Sequence, residues 1–170
     1  MLISREYFTG ELYIEGAAAS NNIAGATASL IGMQIDRIIE NREKEYLQEL
    51  LGSLYEPFMS WYEQYESASE EAETSEYKNL YDMLVDISGS PIAYYVYFFY
   101  VRTKNSMSTA NGTIKKSVNN VSPMDKLVLA WNTMADLTRK IDKYILTNND
   151  FYKGYKPNFH LLEYINSMGV

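Results

Sequence analysis

Apolar residues return at intervals of three and four along residues 28–51. Ile31, Ile35, Ile38, Ile39, Tyr46, Leu47, Leu50 and Leu51 form one stripe, and Asp36, Arg37, Glu40, Glu43 and Lys44 fill the other face. That is the period of an amphipathic helix. Gly52 follows as its stop, because glycine reaches the left-handed conformation without a Cβ penalty. A second helix is predicted over 53–66, with Leu54, Phe58, Trp61, Tyr62 and Tyr65 inward and Pro57 in its first turns, where proline is tolerated. A third runs over 76–87 on Tyr77, Leu80, Tyr81, Leu84 and Val85. "SGSP" (88–91) then ends one helix and starts the next. Ser90 is the cap, and Pro91 takes the first helical position, where its missing N–H costs nothing. The fourth helix, 91–103, is apolar on most sides and is therefore central. A fifth opens at Ser122-Pro123, with Asp125 favouring its positive end. It carries Leu127, Val128, Trp131, Met134, Ile141, Tyr144 and Ile145 inward, and "TNND" (147–150) stops it.

Three stretches break this rhythm. "YFTGELYIEG" (7–16) admits a short strand or an extended arm. "FYKGYKPNFHLLEYINSMGV" (151–170) is too apolar for a free tail and too interrupted for one helix, so it packs on the bundle or on a neighbour. The third is "YVRTKNSMSTANGTIKKSVNNVSP" (100–123), a polar stretch between two helices. Asn111-Gly112 lies between segments of strand-like composition, the signal of a tight β-hairpin turn. A lone hairpin is marginal in water and offers an edge for strand addition; a loose surface loop is the other reading. The predicted architecture is therefore mainly α: one domain, a bundle of about five helices over 21–147. A β-hairpin insertion lies between helices 4 and 5 at 104–121. Two extended termini flank the bundle, an N-terminal arm (1–20) and a C-terminal aromatic arm (148–170).

Composition narrows the chemistry. With 170 residues, the chain buries enough surface to fold without a staple. Cysteine is absent, which removes disulfides, thiol nucleophiles and cysteine-based metal sites. The first ten residues contain no apolar signal core, and "PIAYYVYFFYV" (91–101) is half the length that spans a bilayer; no membrane association is expected. The net charge of −7 argues against a protein that grips nucleic acid. The charge is also uneven. Residues 63–76 hold Glu63, Glu66, Glu70, Glu71, Glu73 and Glu76 with no base, whereas 101–122 hold Arg102, Lys104, Lys115 and Lys116 with no acid. Sixteen tyrosines suit a core that reaches the surface and interfaces.

Candidate catalytic groups are sparse. His160, the single histidine, stands three residues before Glu163, but a metal site needs several convergent ligands. Asp36, Glu40 and Glu43 share a helical face, where paired carboxylates can do acid–base work; a solvated face beside Arg37 and Lys44 looks the same. Neither a nucleophile elbow nor a phosphate-binding glycine loop is present. No catalytic, cofactor or metal residues are assigned. An enzyme using the acidic face of the first helix is the weakest of three readings. A small acidic helical interaction module or inhibitor, acting as a monomer or dimer, is another.

The remaining reading comes from a resemblance. "IIENREKEYLQELLGSLYEPF" (38–58), "SPIAYYVYFFYVR" (90–102), the Thr/Asn-rich insertion and "VSPMDKLVLAWNTMADL" (121–137) resemble, in order and pattern, the head–tail connector (adaptor) proteins of tailed bacteriophages. The resemblance covers residues from about 20 to 147. It implies a structural virion protein, located in the neck and assembled in the cytoplasm of the bacterial host. Such a protein forms a homo-oligomeric ring between the portal and the tail and extends the channel through which double-stranded DNA passes without specific binding. Its partners are further copies of itself, the portal protein and tail or neck proteins. The resemblance also implies subunit or portal contacts through the insertion (Arg102, Lys104, Asn111, Gly112, Lys115, Lys116) and through the aromatic arm (Phe151, Tyr152, Tyr155, Phe159).

Overall fold

A computed structural model describes residues 1–17, 26–67, 75–105 and 123–166. Five long helices carry the fold: α1 (Ala26–Leu51), α2 (Tyr55–Glu66), α3 (Glu76–Val85), α4 (Pro91–Asn105) and α5 (Pro123–Thr147), with a last short turn, α6 (Phe159–Leu162). The mainly α class holds. No strand occurs among the described residues. The hairpin expected at 104–121 falls outside them from residue 106 on. Where 104 and 105 are described, α4 simply continues through Lys104 and Asn105.

The helix boundaries follow local chemistry. Gly52 adopts φ +51°, and a short 3-10 turn (Gly52–Leu54) re-aims the chain from α1 into α2. Ser75 caps α3 by accepting from the N–H of Tyr77 at 3.2 Å. Ser90 does two jobs: its Oγ donates to the Leu84 carbonyl at 2.7 Å and accepts from the Ala93 N–H at 3.3 Å. One hydroxyl thus closes the end of α3 and the start of α4.

α4 is the central element, as its all-round apolarity requires. Ile92, Ala93, Tyr95, Val96, Tyr97 and Phe98 are all buried. α1 and α5 both pack antiparallel to it. Tyr46 meets Tyr95, with ring centroids 5.3 Å apart, while Arg42 lies over Phe99 at 4.2 Å. On the other side Phe98 meets Trp131 at 4.9 Å, and Gly89 lies against Leu137. Between α1 and α5 a buried polar contact is fully paired. The Tyr46 hydroxyl meets Thr138 Oγ1 at 2.8 Å, and Thr138 Oγ1 lies 2.8 Å from the Met134 carbonyl.

Tyrosine builds the second half of the core. Trp61, Tyr62 and Tyr65 of α2 pack on Tyr77 and Tyr81 of α3, and Tyr77 meets Phe151 and Tyr152 of the C-terminal segment edge-on, at 5.0 and 5.7 Å. Aromatic pairs of this kind contribute roughly 0.5–1.5 kcal/mol each beyond their buried area. Their hydroxyls find partners at the edge: Tyr152 donates to the Glu76 carbonyl at 2.8 Å and Tyr144 to the Glu76 carboxylate at 2.7 Å.

Among the described residues, both terminal segments pack on the bundle. Residues 1–17 fold as two 3-10 turns (Arg5–Tyr7 and Gly10–Leu12) and bury Leu2, Ile3, Phe8, Ile14 and Ala17. Over 7–16 the chain therefore forms a packed arm rather than a strand. The C-terminal segment buries Tyr152, Tyr155 and Leu161 in the same core.

Candidate functional site

Among the described residues, the basic end of α4 and the acidic start of α3 stand apart. Arg102 and Lys104 are exposed on the last turn of α4, and exposed Lys126 opens α5 beside them because the two helices are antiparallel. Glu76 starts α3 beside Tyr144, near the other end of α5. The rise of a helix puts about 27 Å between residues 126 and 144. Glu63 and Glu66 close α2, next to α3. The hydrogen bonds from Tyr144 and Asn79 hold the Glu76 carboxyl below its usual range, so it stays charged. Asn111, Gly112, Lys115 and Lys116 lie outside the described residues.

The aromatic arm separates into two sorts. Phe151 and Phe159 are exposed, Phe159 at 71%. Tyr152 and Tyr155 are buried and spend their hydroxyls inside the chain, Tyr155 on Asp142 at 2.9 Å. Burial pushes both hydroxyls well above their ordinary pKa, so they remain neutral donors. Within the single chain they belong to the core, whereas Phe151 and Phe159 are the members of the arm that stand at the surface. A stripe of aromatic residues in a proline- and glycine-broken tail does not reveal which members point inward.

Near Lys104 a cleft of about 670 Å³ opens between α1 and α4. Ile31, Ile35, Ile38 and Phe99 form its apolar wall; Gln34, Asn41, Thr103 and Lys104 are among its polar lining. Arg42, also in the wall, is committed to Glu45 and to the ring of Phe99. Ile31 and, close by on α1, Met33 are large apolar residues left exposed.

Asp36, Glu40 and Glu43, the candidate acidic face of α1, do not act together. Asp36 pairs with Arg5 at 2.9 Å, and Arg5 lies across Gly32, where any Cβ would collide with its guanidinium. Glu40 is exposed. Glu43 is buried and accepts from the backbone N–H groups of Leu2, at 2.8 and 2.9 Å, and of Ile3, at 3.0 Å. Burial raises its pKa; the two N–H bonds and the amino terminus pull it back. The face that reads as solvated is a clamp on the N-terminal arm. Nothing in the period of α1 signals this, because the donors come from forty residues away.

His160 packs its ring 5.4 Å from Trp131. Among the described residues no group of three or more His, Cys, Asp or Glu side chains could hold a metal ion, and no helix is long and apolar enough to cross a membrane. No family model, curated protein or solved structure matches the chain.

Proposed function

We propose that the chain is a non-enzymatic head–tail connector that forms a ring between portal and tail and extends the DNA channel. The observation that carries the reading is the separation of charge along the bundle. Arg102, Lys104 and Lys126 stand at one end of α4 and α5, with exposed Asp125 among them, and Glu76 stands toward the other. A ring is built from heterologous contacts, one patch on a different patch of the next copy. Opposite charges at separate places orient such contacts and suppress wrong pairings more than they add affinity. The exposed apolar residues Ile31 and Met33, beside the cleft at the basic end, supply surface that a neighbour could bury. A net charge of −7 suits a channel wall that must release DNA rather than hold it. The order of the quoted segments adds the family likeness.

The decisive experiment mixes purified protein with portal and images the product by negative stain, with native mass spectrometry for the copy number. Rings on the portal vertex are expected. A chain that never binds portal would sink the connector reading and leave the small acidic interaction module. A predominantly basic lumen in a cryo-EM map would remove the repulsive-channel part alone.

A further inference from the structure

After α6 the chain runs extended, and its backbone is held by side chains of α5. Trp131 Nε1 donates to the Glu163 carbonyl at 2.8 Å. Asn132 makes a two-point contact with one residue: its Nδ2 donates to the Ile165 carbonyl at 3.1 Å, and its Oδ1 accepts from the Ile165 N–H at 2.9 Å. Arg139 donates to the Leu162 carbonyl. A side-chain amide used in this way imitates the pairing a neighbouring strand would make, and it reads backbone rather than sequence. Selectivity comes from two further contacts. The Tyr164 ring lies 3.9 Å from the Arg139 guanidinium while its hydroxyl donates to Asp136, and Ile165 packs half-buried against the core.

We propose that this face of α5 is a binding site for an extended peptide, occupied here by residues 162–166 of the same chain, and that it takes the same segment from a second copy. Three features favour a second copy. The site recognises a Tyr-Ile pair that every copy carries, so contacts made within one chain can be repeated between chains without loss, the basis of domain swapping. The segment leaves α6 with Glu163 already extended, at φ −84° and ψ 140°, so release needs no helix to unwind. Its contacts are polar and lie near the surface: Tyr164 is 53% exposed, whereas Leu161, just before the segment, is fully buried and keeps α6 in place.

The test needs neither portal nor ring, so it can fail while the connector reading stands, or succeed while that reading falls. A fluorescent peptide of residues 162–166 is titrated into three full-length proteins. Ile165→Pro removes the donated N–H and frees the site, and should bind at least tenfold more tightly than wild type. Adding Asn132→Ala to Ile165→Pro should reduce binding at least tenfold. Absence of saturable binding to Ile165→Pro, or equal binding to the double variant, overturns the site. Whole-chain exchange is then read by native mass spectrometry of Ile165→Pro mixed with Asn132→Ala. The first has a free site and a defective segment; the second has the reverse. Heteropairs in excess over both self-pairs support exchange between copies. A statistical mixture, or no heteropairs, overturns it. Circular dichroism matching wild type checks that both variants fold.

Discussion

Glu43 offers the sharpest quantitative test of the packing. Replacing it with alanine strands two buried donors, the N–H groups of Leu2 and Ile3. A buried donor left unpaired costs about 1–3 kcal/mol, so two cost about 2–6. Part of that is offset, because alanine has no carboxylate to desolvate. The arm can also limit the loss by undocking its first residues. A net destabilisation of about 2–4 kcal/mol is expected, read from the urea midpoint at neutral pH. Amide exchange at Ile3 should accelerate well beyond what global unfolding predicts. Glu43→Gln keeps one acceptor and should cost less, about 1 kcal/mol. The pH dependence has a definite sign. The folded-state pKa of Glu43 is raised, so the folded protein holds this proton when the unfolded chain has lost it. Its contribution to stability therefore falls as pH rises from the ordinary carboxylate range through the raised value. Glu76 and Asp86 are shifted downward and act oppositely, losing their contribution as pH falls through their lowered values. Subtracting the Glu43→Gln profile from wild type isolates the Glu43 slope. The clamp is refuted if Glu43→Ala stays within 0.5 kcal/mol of wild type, a surface-like value, with Ile3 exchange unchanged.

Other outcomes follow from the same contacts. Thr138→Val should cost more than Tyr46→Phe in matched denaturation curves. The first strands the buried Tyr46 hydroxyl, about 1–3 kcal/mol, and the second leaves Thr138 bonded to the Met134 carbonyl, about 1 kcal/mol; the reverse order would refute the pairing. Tyr152→Ala should lower stability by about 3–5 kcal/mol, as large aromatic truncations in cores do, whereas exposed Phe159→Ala should stay within about 0.5 kcal/mol. Equal thermal shifts would contradict the division of the aromatic arm into core and surface. Lys115→Glu with Lys116→Glu should weaken ring assembly on the portal with helical content unchanged; wild-type assembly would exclude a role for that charge.

Much of the bundle was legible in the chain itself. The stripes of α1, α4 and α5, the Gly52 stop and the Ser90-Pro91 start depend on neighbours within one or two turns, and those neighbours are adjacent in sequence. The termini were legible only as unusual. Whether 7–16 is a strand depends on what covers Phe8 and Ile14, and the cover comes from distant helices. Which aromatic residues of the tail face inward depends on Glu76 and Asp142, whose carbonyl and carboxylate take the hydroxyls of Tyr152 and Tyr155.

The sequence by itself determined a helical, cysteine-free, acidic chain with a central apolar helix and two oppositely charged regions, because composition and period are local properties. Only the tertiary structure decided that Glu43 is a buried clamp rather than a solvated acid. It also decided that Asn132 is a backbone reader rather than a surface amide. A polar side chain's role is set by the donors and acceptors that folding brings to it, and these lie 40 and 33 residues away along the chain.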